Sequence, residues 1–345
     1  MERFVFITAV TIAILMGLWA MFGRSNFDFH MDADGRGISP VVELAPGTMA
    51  AQTFAGTYLD IRSAAANVTI IPEDRTDFSV EIDNSAGLAP MPTVGVEGEN
   101  LIIDGQLRGR IHGCDGDSLS LRGYGDVAQN QLPRITIRTP RALDVDRSGA
   151  GNTEIGAAES VSLDFSGCGT ARIGDVTGDL DLDIAGAGEV TAGAARHVSA
   201  DVAGAGDITL GAISAGADLD ISGAATVTIA SLTGDLSTDA AGASEIRING
   251  GSIGTAEIDM AGSGDLEIAA NIATMNVSIM GVGDIDVAGT VGDLDVDIAG
   301  PGSVTVQAVT GSLQQDIAGP GSVTVTGSAR SAPPAPPAAP AAPTP

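Results

Sequence analysis

The chain contains no lysine: all sixteen basic residues are arginine, against forty-four Asp and Glu, for a formal net charge of −28. Nucleic acid is excluded as a partner, because phosphate binding needs a basic surface. Docking on anionic lipid is disfavoured for the same reason. Aromatic residues make up only 3 % of the chain. The core must therefore be built from Val, Ile, Leu and Ala, which suit thin, repeated layers better than one large globular interior. There are two cysteines, Cys114 and Cys168, and no C-x-x-C. Two cysteines make no metal site on their own, and a single disulfide between them requires an oxidising compartment. Long apolar runs are absent after the first two dozen residues.

The one such run, "FVFITAVTIAILMGLWAMF" (Phe4–Phe22), is nineteen uncharged residues long. It has the length of one membrane span and is long for a signal-peptide core, and no A-x-A cleavage site follows it. The expectation is a membrane anchor over residues 1–23, with a cleaved signal as the alternative. Arg3 lies before the run and Arg24 and Arg36 after it, so positive charge does not set the orientation. Residues 24–40 read as a polar linker. Residues 41–142 contain strand-like alternations, "LDIRSAAANVTII", "DFSVEID", "ENLIIDG" and "LPRITIRTP", around a Gly-rich stretch, "RGRIHGCDGDSLSLRGYGD", read as a loop. The end, "SAPPAPPAAPAAPTP" (331–345), is Pro/Ala-rich and is expected to be extended and solvated.

Residues 143–330 repeat. "LDVDIAGPGSVTV" (Leu294–Val306) recurs nineteen residues later as "LQQDIAGPGSVTV" (Leu313–Val325). Aligned on the first Gly of a small-residue turn, ten copies place Gly149, Gly167, Gly186, Gly204, Gly223, Gly242, Gly262, Gly281, Gly300 and Gly319 at intervals of 18 to 20 residues. The residues two and four before each Gly are apolar in nearly every copy and alternate with polar ones, so one strand turns them all to one side. Beyond the Gly a second strand does the same, as in Ile208 and Leu210. A third apolar point follows in several copies, as in Leu232. So short a strand cannot bury its face alone, whereas stacked copies bury all of them in one column. The expected fold is all-β: a parallel β-solenoid of about ten rungs, right-handed by the usual crossover rule, about 48 Å long. "YLDIRSAAANVTI" (Tyr58–Ile70) reads as an earlier, degenerate rung, so 41–142 should continue or cap the stack. Arg147 and Gln315 are the long polar exceptions in the inward columns, and terminal layers would tolerate them.

A block of the type "QTFAGTYLDIRSAAANVTIIPEDRTDFSVEID", followed by "LPRITIRTPRALDVDRSGAG" and then Gly-x-Gly rungs, resembles the head GIN domain family, bacterial exported proteins labelled as autotransporter adhesin heads. The resemblance spans roughly 41–330. It implies a β-helical fold and an envelope location, and it implies no catalytic residue.

One column has chemistry of its own. Three before each Gly stand Asp146, Asp164, Asp183, Asp201, Asp220, Asp239, Asp259, Ser278, Asp297 and Asp316. By parity they point outward. Five before, Asp144, Asp181, Asp218, Glu257 and Asp295 form a second, sparser acidic row. Such a ladder keeps a flat sheet soluble and discourages sheet-to-sheet association. The functional alternative is a face for cations, calcium first, or for a cationic partner. Sequences such as "GAGDI" (Gly204–Ile208) depart from the calcium nonapeptide, and the residue after each Gly-x-Gly is better read as a short polar cap on the corner. Acidic sites of β-helical polysaccharide enzymes need walls made by long loops, and these rungs have none. His30, His112 and His197 lie apart in sequence and carry no nucleophile signature. No cofactor is expected.

The function expected is therefore that of a non-enzymatic cell-envelope module, presenting β-helix faces to a surface, polymer or protein partner. Its location would be the periplasmic face of the inner membrane, through residues 4–22, or outside the cell. The alternatives are a polymerising scaffold of the bactofilin type, a calcium-binding repeat protein, or a polysaccharide-active enzyme.

Overall fold

The computed structural model describes residues 38–115 and 117–327. The chain divides into two units, Met1–Ile38 and Ser39–Pro345, and the fold lies in the second. The expected anchor over 1–23, most of the linker, and the tail 331–345 fall outside the described residues. Among those described, no helix is long and apolar enough to cross a membrane.

The solenoid forms as its periodicity demands. The strand Ala142–Ala150 pairs in parallel with Ser160–Ile173, residue for residue, and Asp179–Ala192 follows in the same register. Parallel pairing continues rung by rung to Leu313–Ala318 and Ser322–Val325. The inward columns form one continuous core. Phe165, Ile184, Val202 and Ile221 are buried in one column, Leu163, Leu182, Ala200 and Leu219 in the next, with Val190, Ile208, Val227 and Ile246 on the second side.

Glycine holds the corner for two reasons. All ten aligned glycines have φ between +126° and +146°, a region that side chains rarely adopt. Rung packing also leaves no room: a Cβ on Gly223 would lie 2.1 Å from the carbonyl oxygen of Gly204.

The degenerate rung is present. Tyr58–Ala65 stacks in parallel beneath Ala142–Ala150, and Asn67–Pro72 beneath Thr153–Ile155. A further layer is made by two segments that are not consecutive, Asn100–Asp104 and Arg134–Thr139. Strand direction then reverses. Thr93–Glu97 pairs antiparallel with Asn100–Asp104, Phe78–Asn84 with Arg134–Thr139, and Gly47–Phe54 with Phe78–Asn84. This end of the stack is closed by antiparallel strands, the outermost of them irregular at Met49/Gln52. An end-to-end filament of the bactofilin type needs two open ends, so that expectation is not supported.

Arg147 does not sit in a terminal layer: it is 1 % exposed, because the rung Tyr58–Ala65 lies below it. It is tolerated because its guanidinium donates to the carbonyls of Ala64, Ala66, Ser148 and Ala150, which line the corner. Burial lowers its pKa to about 10. The Gly-rich stretch is also not a loop throughout. Ile111–Asp115, Ser118–Leu121 and Gly125–Ala128 form an antiparallel three-stranded sheet. Its Leu119, Leu121 and Val127 bury against Ala65 and Ala150, making a second, smaller core on the outside of the corner. The disulfide left open by sequence forms: Cys114 of this flap joins Cys168 of the solenoid, with the Cα atoms 6.0 Å apart.

Candidate functional site: the carboxylate ladder

The ladder follows from register. Each rung pairs Cα to Cα with the next, so a residue at one offset from the corner glycine meets its equivalent. Asp146 pairs with Asp164, then Asp183, Asp201, Asp220, Asp239 and Asp259 follow. Ser278 interrupts the run, and Asp297 and Asp316 resume it. Neighbouring positions are separated by about 4.8 Å, the interstrand spacing. Eight of the nine aspartates are exposed, as parity requires.

Asp146 departs from that expectation: it is half-buried. The ladder begins one rung before the ten aligned copies. Asp60 of the degenerate rung pairs with Asp146 and extends the ladder, and the motif "LDI" at Leu59–Ile61 carried that signal. Tyr58 stands beside Asp60 on the same strand and in the sparser acidic row, one rung below Asp144.

This crowded end is where the electrostatics are strongest. Burial, and then the charges of Asp164 and Asp60, push Asp146 up to about 6, against the opposing pull of Arg147 and Arg62. Asp60 is raised chiefly by burial, and one of its carboxylate oxygens is buried without a hydrogen-bond partner. Arg62 lies 3.6 Å from Asp60 and 3.4 Å from Asp104 and lowers the Asp60 pKa only in part. Tyr58 is raised to about 12 by burial and then by Asp146, Asp144, Asp60 and Asp164. Further along, Asp164, Asp183, Asp220, Asp239 and Asp259 are all raised, first by burial and then by neighbouring carboxylates. At Asp259 the Ser278 hydroxyl opposes the shift by hydrogen bonding to the carboxylate. The serine thus relieves the repulsion at the one rung that lacks an Asp.

The other candidates are dispersed. Among the described residues, no three His, Cys, Asp or Glu side chains converge closely enough to hold a metal ion. His197 pairs with Asp218 at 3.2 Å across adjacent rungs. It is part-buried. His112 is exposed in the flap, and His30 lies outside the described residues. The column after Gly-x-Gly behaves as a polar cap: Thr170 donates to Asn152 at 2.9 Å and Ser303 to Asp284 at 2.6 Å, each one rung apart. The arrangement is an open, graded acidic face.

Residues 216–329 match the family described as "Putative auto-transporter adhesin, head GIN domain". No curated protein matches the sequence. Three of the solved structures that align with this chain illustrate the matches. A "putative adhesin" from Parabacteroides distasonis shares 16 % identity over 80 % of this chain and 95 % of its own, with a TM-score of 0.36. A second, from Parabacteroides merdae, shares 14 % over 81 % and 95 %, with a TM-score of 0.33. A "putative lipid binding protein" from P. distasonis shares 16 % over 80 % and 95 %, with a TM-score of 0.31.

Proposed function

Residues 216–329 carrying the head GIN domain pattern is the premise from which we infer that this protein is a non-enzymatic binding module of the cell envelope. It meets its partner through the long, flat outer faces of the solenoid. The observation that carries the reading is the continuous parallel pairing of those faces, shifted only by one-residue bulges at Gly234/Leu236 and Val287/Thr290. From Ala142 to Ala318 no rung inserts a loop that would wall off a pocket, so the surface offers area and repetition rather than enclosure. The Cys114–Cys168 disulfide supports a location outside the reducing cytoplasm. The ladder keeps the face soluble and restricts contacts on that side to cationic groups or to cations bridging it to an anionic polymer.

The test uses the full chain produced in a Gram-negative host. Fractionation should recover it with the envelope and with Cys114 and Cys168 blocked to thiol reagents. The purified chain should co-sediment with isolated envelopes and release no reducing ends from acidic polysaccharides. Cytoplasmic recovery with free thiols, or polysaccharide cleavage lost on replacing paired aspartates, overturns the reading. A calcium-specific rise in melting temperature over magnesium or EDTA at matched ionic strength, lost in an Asp201→Asn, Asp220→Asn, Asp239→Asn variant, would assign the ladder to cations. Its absence leaves the ladder as a solubilising surface.

A further inference from the structure

We propose that the C-terminal end of the solenoid is a two-fold interface with a second copy of this chain, formed by antiparallel pairing of the strand Leu313–Ala318 with its symmetry mate. The two ends of the stack are finished differently. At one end antiparallel strands cover the layers, and Leu101 and Ile103 are fully buried. At the other end nothing among the described residues covers the last rung. Leu313 is 43 % exposed, and Ile317, Val323 and Val325 are only partly buried. The backbone edge there is open as well. Leu294 donates to the Ser312 carbonyl and Gly300 to that of Ala318, so the even-numbered residues of the last rung face the preceding one. By alternation, Leu313, Gln315 and Ile317 turn their N–H and C=O groups outward from the stack.

What selects a second copy as the occupant is the strand's self-complementarity. The last rung repeats Leu294–Val306 with two changes only: Asp295 becomes Gln314 and Val296 becomes Gln315. Place Gln315 opposite Gln315 of a second copy, so that both exchange backbone hydrogen bonds. Leu313 then faces Ile317 and Ile317 faces Leu313, again through outward-turned backbone groups. On the other face, each Gln314 amide meets an Asp316 carboxylate, a donor opposite an acceptor. The two Gln315 amides can bond to each other across the axis and so pin the register. The unmodified repeat would instead set Asp against Asp at both outer pairs, at the closest Cα approach in the ladder. A two-fold pairing uses up the edge on which it forms, so association through this end stops at two.

The test is cysteine cross-linking in the full chain, whose native cysteines are already paired. Gln315→Cys should give a covalent dimer on mild oxidation, since facing residues in such a pair have Cα atoms about 5.5 Å apart. Ile317→Cys alone should not, being displaced from its own mate by about 14 Å. A mixture of Ile317→Cys and Leu313→Cys chains should cross-link again. A variant that restores the preceding rung's sequence, Gln314→Asp with Gln315→Val, should fold, as that sequence already does one rung earlier, and should weaken self-association at least tenfold in sedimentation equilibrium. No cross-link at Gln315→Cys in folded protein, equal yields at 315 and 317, or unchanged association of the restored variant overturns the proposal. So does a dimer seen only after deletion of residues 331–345, which would make the tail the occupant of this end.

Discussion

Acid should stabilise this protein over a range in which most proteins have begun to weaken. Asp146 titrates near 3.8 in the unfolded chain and near 6 in the fold, because burial and then the charges of Asp164 and Asp60 disfavour its ionised form. Between these values the folded state holds more protons than the unfolded state, so unfolding free energy falls as pH rises. The contribution is fully present below about pH 3.8 and gone above about pH 6. A move of this size corresponds to about 3 kcal/mol in a shielded site. Asp146 is only half-buried, and solvent screening brings the figure to about 1–2 kcal/mol. Asp60, Asp164, Asp183, Asp220, Asp239 and Asp259 are raised too and act in the same direction. Urea unfolding followed by far-ultraviolet circular dichroism at pH 5, 6, 7 and 8 should show the midpoint highest at pH 5, with an unchanged slope on denaturant. Asp146→Asn should gain about 1–2 kcal/mol at pH 7 and little at pH 4.5. A wild-type midpoint lower at pH 5 than at pH 7 would refute the reasoning, because the ladder would then be solvated well enough to behave as isolated surface carboxylates.

Other perturbations separate the parts of the fold. Replacing Cys114 and Cys168 with serine removes a cross-link spanning 54 residues, a loss of about 4 kcal/mol on chain entropy. It should lower the urea midpoint and speed tryptic cleavage at Arg122 in the flap; unchanged cleavage would mean that the second core holds the flap without help. Gly223→Ala should cost about 3 kcal/mol or more, since φ is +146° and the new Cβ would meet the Gly204 carbonyl at 2.1 Å. A thermal melt within 2 °C of wild type would show that the corner can relax. Arg147→Met should cost about 2 kcal/mol or more by leaving corner carbonyls without a donor, despite its apolar fit. Equal stability would make the guanidinium dispensable.

Much of this was legible in the chain itself because the solenoid is quasi-one-dimensional. Each rung repeats the same inward Val, Ile and Leu and the same corner glycine, so period and parity place every side chain without any long-range information. The ladder from Asp164 to Asp259 is a consequence of that register, and its columns could be read directly from the spacing. Repetition also made the two departures of the last rung, Gln314 and Gln315, visible against the copy before it.

What the repeat could not supply is whatever breaks it. The closing layer joins Asn100–Asp104 with Arg134–Thr139, segments thirty residues apart, and then reverses strand direction. Local patterning sees strands there but not their partners. The flap's strands are short and Gly-rich, and they become a sheet only because Ala65 and Ala150 offer their apolar faces and Cys168 a thiol. Arg147 looks like an end residue until the rung beneath it is in place, when burial turns it into a donor for four carbonyls. The same rung half-buries Asp146 and sets the gradient of the ladder. The amino-acid sequence by itself determined the stack, its corner and its charged face, since these depend on neighbours at a constant offset. The tertiary structure alone decided how the stack ends, what is locked onto it and which carboxylate is hardest to ionise, because each depends on segments that meet only in the fold.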